Sequence, residues 1–200
     1  MRNMLLCWII FLPCPFADEA VCVPPPSILG AFNIWIDEGA YKRKRSKLMY
    51  PPKVDHLIPG YDFTVAFVGS KTCFHSLYYL GQLILDSHLD VIFYYFRKKA
   101  EVTKTCKISF TTTDTLFNVN VLKAYAATQD KTFSWSKFAG LCDYIVGFQL
   151  PCSKAWEEVD HVFMPIYFKT QMHWILARFC INDWCIYVYN SMVSPRDIGI

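Results

Sequence analysis

The stretch from Met172 to Met192 constrains the fold of this chain more than any other. Its first part, His173 to Ile181, is rich in β-branched and aromatic residues, which are enriched in strands. Asn182-Asp183 follows, and both residue types tolerate the left-handed backbone angles of a tight hairpin turn. The second part, Trp184 to Asn190, is again a run of strand-forming residues. The stretch therefore predicts an antiparallel β-hairpin with a two-residue loop.

The predicted hairpin brings a histidine and an amide to the same end of the sheet. With a two-residue loop, Ile181 faces Trp184 and Ile175 faces Asn190. Since side chains alternate between faces with period two, His173, Ile175 and Asn190 share one face. His173 and Asn190 become diagonal neighbours, about 7–8 Å apart at the backbone. A His beside an Asp or Asn is half of a nucleophilic triad. An ordinary buried hairpin with a His at its mouth explains the same spacing.

Composition limits the classes of protein that the chain fits. Its 200 residues correspond to one domain, with room for a short extension. With 54% hydrophobic residues it has material for a large core. A net charge of +3 is too small to indicate a nucleic-acid partner. We find no phosphate-binding glycine loop and no paired-carboxylate site, and the sequence predicts no cofactor.

The cysteines argue against a metal centre and against a complete disulfide framework. No pair has Cys-x-x-Cys spacing, and the histidines do not complete a ligand set, so we expect no zinc site. An odd number of cysteines fits reduced, intracellular thiols better than a disulfide-stabilised domain. The nine cysteines are Cys7, Cys14, Cys22, Cys73, Cys106, Cys142, Cys152, Cys180 and Cys185.

The first 28 residues are predicted to be a leader and a proline-rich linker. Residues 1–17 have a basic start, an apolar run and a small-residue end, as in a secretory signal. The apolar run is too short to span a bilayer. The alternative is an unstructured leader on an intracellular protein. Val23 to Ser27 contains three consecutive prolines, which indicates a linker.

Helices precede strands in the rest of the chain, which predicts an α+β fold. The helices are expected at 29–40, from Ser87 to Lys99 with a Ser87–Asp90 capping box, at 114–127 and at 134–146. A strand is expected from Val162 to Phe168, with Pro165 making it an edge strand or a bulged one. The basic run Lys42 to Arg45 fits a nuclear-localisation patch, a phosphate-binding surface or simply a solvated segment.

Several of these segments together resemble a protease family. The hairpin has a His-Trp pair, His173-Trp174, then an apolar strand and a Tyr-x-Tyr-acid-Ser turn with Asn at the acid position. The stretch Asp86 to Lys99 resembles the segment ahead of the catalytic core. The chain is thus similar to the ubiquitin-like-protein-specific cysteine proteases that process and deconjugate SUMO, in their plant-expanded, transposon-associated branch. Looser similarity covers Ile34 to Ile36, Phe67 to Lys71 and Thr111 to Phe117.

The resemblance implies a papain-like α+β fold and a His, Asp, Cys triad in chain order. It makes His173 the general base that activates a Cys thiol, and Asn190 the residue at the position of the triad acid. Trp174 would belong to the groove that takes the extended tail of SUMO or another ubiquitin-like protein. The implied location is nuclear or cytoplasmic, with secretion through the leader as the alternative.

Two departures from the family pattern affect the expected activity. The amide oxygen of Asn190 can accept a hydrogen bond from the imidazole N–H and so hold the orientation of the ring. It cannot stabilise the imidazolium form with a full negative charge, as a carboxylate does. The nucleophilic Cys of the family and its oxyanion-stabilising Gln lie well after the acid, and no cysteine follows Asn190 in this sequence. We therefore expect residues 29–200 to be a partial, C-terminally truncated catalytic domain whose hairpin exposes apolar surface.

Three functions remain open at this point. The first is a cysteine peptidase for SUMO-like substrates that is impaired or inactive for want of its nucleophile. The second is a non-catalytic module that binds a ubiquitin-like protein through the Trp174 groove, and its alternative is a transposon-derived remnant with no stable fold. The third is a secreted domain with disulfides, which depends on the leader alone.

Overall fold

A computed structural model describes residues 26–41, 49–79, 81–102 and 108–192. The leader, the linker up to residue 25 and the basic run Lys42 to Arg45 lie outside the described residues. Predictions made for those segments stay predictions. No helix among the described residues is long and apolar enough to cross a membrane.

Two compact units divide the chain, with their boundary between Val91 and Ile92. The first unit contains helices and one small sheet. Its elements are α1 (Pro26–Asp37), α2 (Pro52–Asp55), β1 (His56–Asp62), β2 (Phe67–Ser70) and α3 (Lys71–Tyr78), and β1 pairs antiparallel with β2. Helix α4 (Asp86–Val102) contains the boundary.

Helix α1 begins earlier than the sequence indicated. It spans Pro26–Asp37, so Pro26 and Ser27 belong to its first turn and not to the linker. Proline is tolerated there because the first N–H groups of a helix have no intrahelical partner. The helix ends at Asp37, three residues before the predicted end.

The start of α4 is stabilised by a different side chain from the one predicted. The helix begins at Asp86, which places Ser87 inside the first turn. The Leu85 N–H donates to Nδ1 of the buried His88 at 3.1 Å. His88 is the third residue of the helix, and its side chain bonds back to the backbone of the residue that precedes the helix. This is the role of the residue at the third helical position in a capping box. The predicted cap at Ser87 is wrong, because a cap at Ser87 requires a helix that starts at His88 and this helix starts two residues earlier, at Asp86.

Helix α4 also buries a charged side chain in its C-terminal half. The helix runs on to Val102, and Arg97 is a buried residue. Its Nε donates to the Pro151 carbonyl at 3.0 Å, and a second guanidinium nitrogen donates to Oγ1 of Thr112. Leu89 and Phe93 of the same helix are buried as well. Arg97 therefore fastens α4 to the strand that contains Thr112 and to the loop at residue 151.

The second unit continues with helices and a four-stranded sheet. After α4 come β3 (Phe110–Thr112), α5 (Thr115–Gln129), a 3₁₀ turn (Trp135–Lys137), α6 (Ala139–Ile145) and a second 3₁₀ turn (Trp156–Glu158). The chain then forms β4 (His161–Phe168), β5 (His173–Cys180) and β6 (Cys185–Tyr189). The strand order is β3-β4-β5-β6, with β3 parallel to β4 and the other neighbours antiparallel. Helices and mixed sheets in this order confirm the α+β class.

Local signals explain how the helices of the second unit begin and end. The Asp114 carboxylate accepts from the backbone N–H groups of Leu116 and Phe117, at 3.1 and 3.0 Å, and so caps α5. The predicted third helix is broken at Phe138, where a 3₁₀ turn gives way to α6. Gly147 ends this region as predicted, with φ +79 and only 2.7 Å between an added Cβ and the Ala155 nitrogen.

Pro165 lies where β4 extends past the end of β3, and it causes no bulge. All eight residues of β4 pair with β5 in one unbroken register, Pro165 opposite Leu176. The Phe163 carbonyl accepts from Thr113 N–H, so the polar groups of Phe163, and of Pro165 two residues on, point toward the β3 side. Since β3 ends at Thr112, no ladder bond is lost at the proline. The predicted bulge is therefore wrong, whereas the flank of β4 at Pro165 is an unpaired edge, as the alternative prediction had it.

Both faces of β4 and β5 are covered. On one face Val162, Met164 and Ala177 form a buried cluster, and the partly buried Phe117 and Trp156 pack against it. On the other face Trp174 and Leu176 are buried. Strand β6 differs, since the apolar side chains that follow its turn are exposed, as we expected for the hairpin: Trp184, Ile186 and Val188.

Burial predicts a sharp contrast between two valines of the same sheet. Val162 is 0% exposed in the cluster, whereas Val188 on β6 is 59% exposed. Val162→Ala should lower the free energy of unfolding by about 1–3 kcal/mol, because it removes buried methyl groups and leaves a cavity. Val188→Ala, the matched control, should change it by at most about 0.5 kcal/mol. Denaturant titration of both variants measures the difference, and equal losses would contradict this description of the core.

Candidate active site

His173 is the first residue of β5 and lies opposite Phe168 of β4. The imidazole is half-buried. Its Nε2 is 3.1 Å from Oγ of Ser191, a residue just beyond the end of β6. The hairpin therefore brings the predicted base into contact with the segment that follows its second strand.

The register of the hairpin is the predicted one. Cys180 pairs with Cys185 and Leu176 pairs with Tyr189. In this register the next residue, Asn190, comes level with Ile175 and shares the face of His173. The sequence was therefore sufficient to place the His and the amide at one end of the sheet.

The turn itself differs from the prediction. It occupies four residues, Ile181 to Trp184, and Trp184 N–H donates to the Ile181 carbonyl at 3.4 Å. The left-handed residue is Trp184, with φ 49, and neither Asn182 nor Asp183 has a positive φ. Four-residue loops are commonly built on a turn of this kind. Strand β6 begins at Cys185 as a result.

The Asn190 side chain is held by its own segment. Its Oδ1 accepts from the backbone N–H of Met192 at 3.0 Å. This is the local turn that Asn and Asp side chains form with the backbone two residues on. Ser191, and not Asn190, supplies the hydrogen-bonding contact to His173 in this structure. The assignment of Asn190 to the acid position stays a prediction.

Ser191 was missed as a site residue, although the sequence contained a signal for it. It follows the acid position directly in the Tyr-x-Tyr-acid-Ser turn. A hydroxyl can donate to or accept from an imidazole nitrogen, so it can orient the ring without adding charge. The segment from Asn190 to Met192 thus has two polar side chains at the end of β6.

Burial lowers the pKa of His173 below its ordinary value of 6.5. Desolvation disfavours the charged imidazolium form of the ring. Among the described residues, no carboxylate raises the pKa of this ring in return. The imidazole is therefore neutral at pH 7. A neutral imidazole is the form that can take a proton, which is what a general base requires.

Trp174 lies on the opposite face of β5 from His173. It is only 8% exposed, and its ring packs on the ring of Tyr167, its partner on β4, with 5.0 Å between centroids. Tyr167 and Phe168 are the more exposed aromatic residues at this end of the sheet. A role for Trp174 in a substrate groove stays a prediction. Because Trp174 is buried, it can support the exposed Tyr167 by packing beneath it.

The cysteines of the hairpin lie on the other face of the sheet. Cys180 is an odd number of residues from His173 along β5, so its side chain projects from the opposite face. Cys185 is opposite Cys180 and shares that face. The Cys180 thiol donates to Oδ2 of Asp183 at 3.1 Å. Neither thiol is positioned to give its proton to His173.

One Cys–His contact does occur among the described residues, in the first unit. Sγ of Cys73 is 2.9 Å from Nε2 of His88. Nδ1 of His88 accepts from Leu85 N–H, so Nε2 carries the proton and donates to the Cys73 carbonyl at 2.8 Å. Burial raises the pKa of the Cys73 thiol and lowers the pKa of His88. These shifts oppose a thiolate–imidazolium pair, so the contact is structural.

Metal chemistry finds no support in the described ranges. No group of three or more His, Cys, Asp or Glu residues there could hold a metal ion.

The lowered pKa of His173 has a testable consequence. NMR titration of its imidazole, assigned by the signal lost in His173→Asn, should give a pKa below 6.5. As the pH falls, the unfolded chain takes up this proton first, so the stability contributed by the neutral ring is present above the unfolded pKa and is lost below it. The free energy of unfolding should therefore fall less steeply with acid in His173→Asn. A His173 pKa at or above 6.5 would contradict the desolvated site.

Comparison with known families covers the part of the chain that contains this site. The model of the Ulp1 protease family, C-terminal catalytic domain, matches residues 82–198. No curated protein and no solved structure matches the chain. The matched residues are more than half of the 200 and include α4, the four-stranded sheet, His173 and Asn190. The chain therefore belongs to the Ulp1 protease family.

Proposed function

We propose that this chain provides the base half of a SUMO-directed cysteine peptidase site and does not cleave by itself. Membership of the family makes it a cysteine peptidase of the ubiquitin-like protease class, with ubiquitin-like proteins as substrates. The observation that supports the finer proposal is the position of His173. It is neutral, half-buried and oriented by Ser191 at the end of a rigidly paired strand.

His173 has the properties that thiol activation requires. A general base takes the thiol proton, the thiolate attacks the carbonyl carbon of the scissile bond, and the base returns the proton to the leaving amine. A third group fixes the tautomer of the imidazole, and Asn190 or Ser191 can do so through an oxygen. An uncharged partner does not stabilise imidazolium as a carboxylate does, so a lower rate is expected even with a thiol supplied.

The hydrogen-bonding contact of His173 among the described residues is Ser191 and not a thiol. Cys180 and Cys185 face away from His173. The Cys73 thiol already has His88 beside it, in the first unit. The contacts among the described residues therefore place a base at this site and bring none of these three thiols to it.

The polypeptide of this sequence should not cleave a SUMO fusion protein. A base without a nucleophile cannot form the thioester intermediate. Release of the fused reporter should equal that of a no-protein control, whereas an active protease of the same family cleaves the same substrate to completion. Cleavage that is lost in His173→Ala would contradict the proposed inactivity and would require a different nucleophile.

A non-catalytic binding function is the second candidate, favoured by the exposed Phe168 beside His173. Phe168 ends strand β4 at the open end of the hairpin and projects from the same face as His173, where an extended peptide tail would pass. Tyr167 projects from the opposite face. Apolar contact with a narrow Gly-Gly tail requires no catalysis. The buried Trp174 supports Tyr167 from the neighbouring strand.

Titration with fluorescently labelled SUMO tests this second function. Phe168 is 42% exposed at the proposed groove, and Phe148, at 85% exposed, lies outside the strands and serves as the control. Phe168→Ala should weaken saturable binding by about 10-fold, as loss of an aromatic contact does at an interface. Phe148→Ala should leave the dissociation constant unchanged. Absence of saturable binding by the parent chain would exclude the binding function and would leave the first proposal intact.

The location and the choice of modifier are part of the same proposal. The family resemblance favours a nuclear or cytoplasmic protein, and the five cysteines described in the structure are all free thiols. SUMO is the proposed modifier, and no nucleic-acid partner is proposed.

A further inference from the structure

Two cysteines face each other at the closed end of the hairpin. Cys180 is the last residue of β5 and Cys185 is the first of β6. They are direct cross-strand partners in the antiparallel register. Four turn residues separate them in sequence, and both side chains project from the same face of the sheet.

This placement satisfies the distance requirement of a disulfide. Directly opposed residues of antiparallel strands have Cα atoms about 4.5–5.5 Å apart. Disulfides join residues whose Cα atoms are about 4.4–6.8 Å apart. The backbone of the hairpin therefore does not have to move far for the two sulfur atoms to bond.

The two thiols differ in ways that assign them different roles. Cys185 is exposed and accessible to a small oxidant in solution. Cys180 is 5% exposed, and its thiol donates to Oδ2 of Asp183 in the intervening turn. The carboxylate is placed to take the Cys180 proton as a new bond forms. An exposed thiol beside a protected one is the arrangement of a site-selective oxidation pair.

We propose that Cys180 and Cys185 are an oxidative modification site that forms an intrachain disulfide with a peroxide-class oxidant. Hydrogen peroxide transfers one oxygen to the Cys185 sulfur, which gives a sulfenic acid and one water. The Cys180 sulfur then attacks the sulfenic sulfur, its proton passes through Asp183 to the departing hydroxide, and a second water leaves. Two thiols are thus oxidised to a disulfide while one peroxide is reduced to two waters.

The disulfide would covalently fix the register on which the candidate site depends. The opposite end of this hairpin contains His173, and Asn190 follows its second strand. A slip of one residue between β5 and β6 would move Asn190 to the other face of the sheet. A covalent bond between Cys180 and Cys185 prevents that slip. This inference depends on the geometry of the hairpin alone and not on the proposed peptidase activity.

Peptide mapping after oxidation tests the proposal. The full chain is treated at low concentration with hydrogen peroxide, and the remaining thiols are alkylated in denaturant. An endoproteinase that cleaves before aspartate then cuts between Asn182 and Asp183, inside the proposed loop. We expect the two fragments to stay joined, to lack alkylation at both cysteines, and to separate on reduction.

Two variants and one internal standard make the result decisive. Cys185→Ser should abolish the joined species, whereas Cys142→Ser, which removes another exposed cysteine, should leave it unchanged. Oxidation of Cys142 in the parent chain, detected with a sulfenic-acid probe, shows that peroxide reached exposed thiols. The proposal is overturned if Cys142 is oxidised while Cys180 and Cys185 remain alkylated. It is also overturned if Cys185 is joined to any cysteine other than Cys180.

Discussion

The unbroken pairing of β4 with β5 is the constraint on which the second unit depends. Eight consecutive residue pairs, from His161–Cys180 to Phe168–His173, leave these strands one register. Burial on both faces enforces it, because a shift by one residue would exchange the Ala177 face for the Trp174 face. His173 belongs to the last pair of this ladder. Its position is therefore set by the pairing and burial of the other residues of β4 and β5.

The chemistry of the site follows from this position at the end of a ladder. The backbone of His173 is fixed by pairing while its ring stays half-exposed, and burial keeps the ring neutral. The polar groups around it come from the residues just after β6, where the Asn190 side chain accepts from the backbone N–H of Met192 and the Ser191 hydroxyl contacts the ring. His173 is thus a rigidly held base whose hydrogen-bonding neighbours carry no charge. Such a base can accept a proton, but its neighbours do little to stabilise the imidazolium that forms.

The alternation of side chains between the two faces of a strand was enough to predict the geometry of the β5–β6 hairpin. The register of the hairpin, the shared face of His173 and Asn190 and the opposite face of Cys180 all follow from it. The start of α5 was predicted to within one residue, although Asp114 was expected as its first residue and is its N-cap. The family resemblance, and not the spacing, gave His173 its role.

What the sequence did not reveal depends on contacts between distant segments. Arg97 looked like an ordinary cation near a helix end, but its partners are Pro151 and Thr112, far away in the chain. His88 replaced Ser87 as the capping side chain because the start of the helix depends on where Leu85 is held. The left-handed residue of the hairpin is Trp184, which no residue preference would have selected.

Pro165 also affects how the protein meets other chains. On the flank of β4 that extends past β3, a strand from another molecule would need N–H donors in register. Proline offers none there, and its ring occupies the space where a hydrogen-bonded neighbour would approach. A residue that costs the native sheet no bond therefore interrupts the flank on which intermolecular β-aggregation could begin.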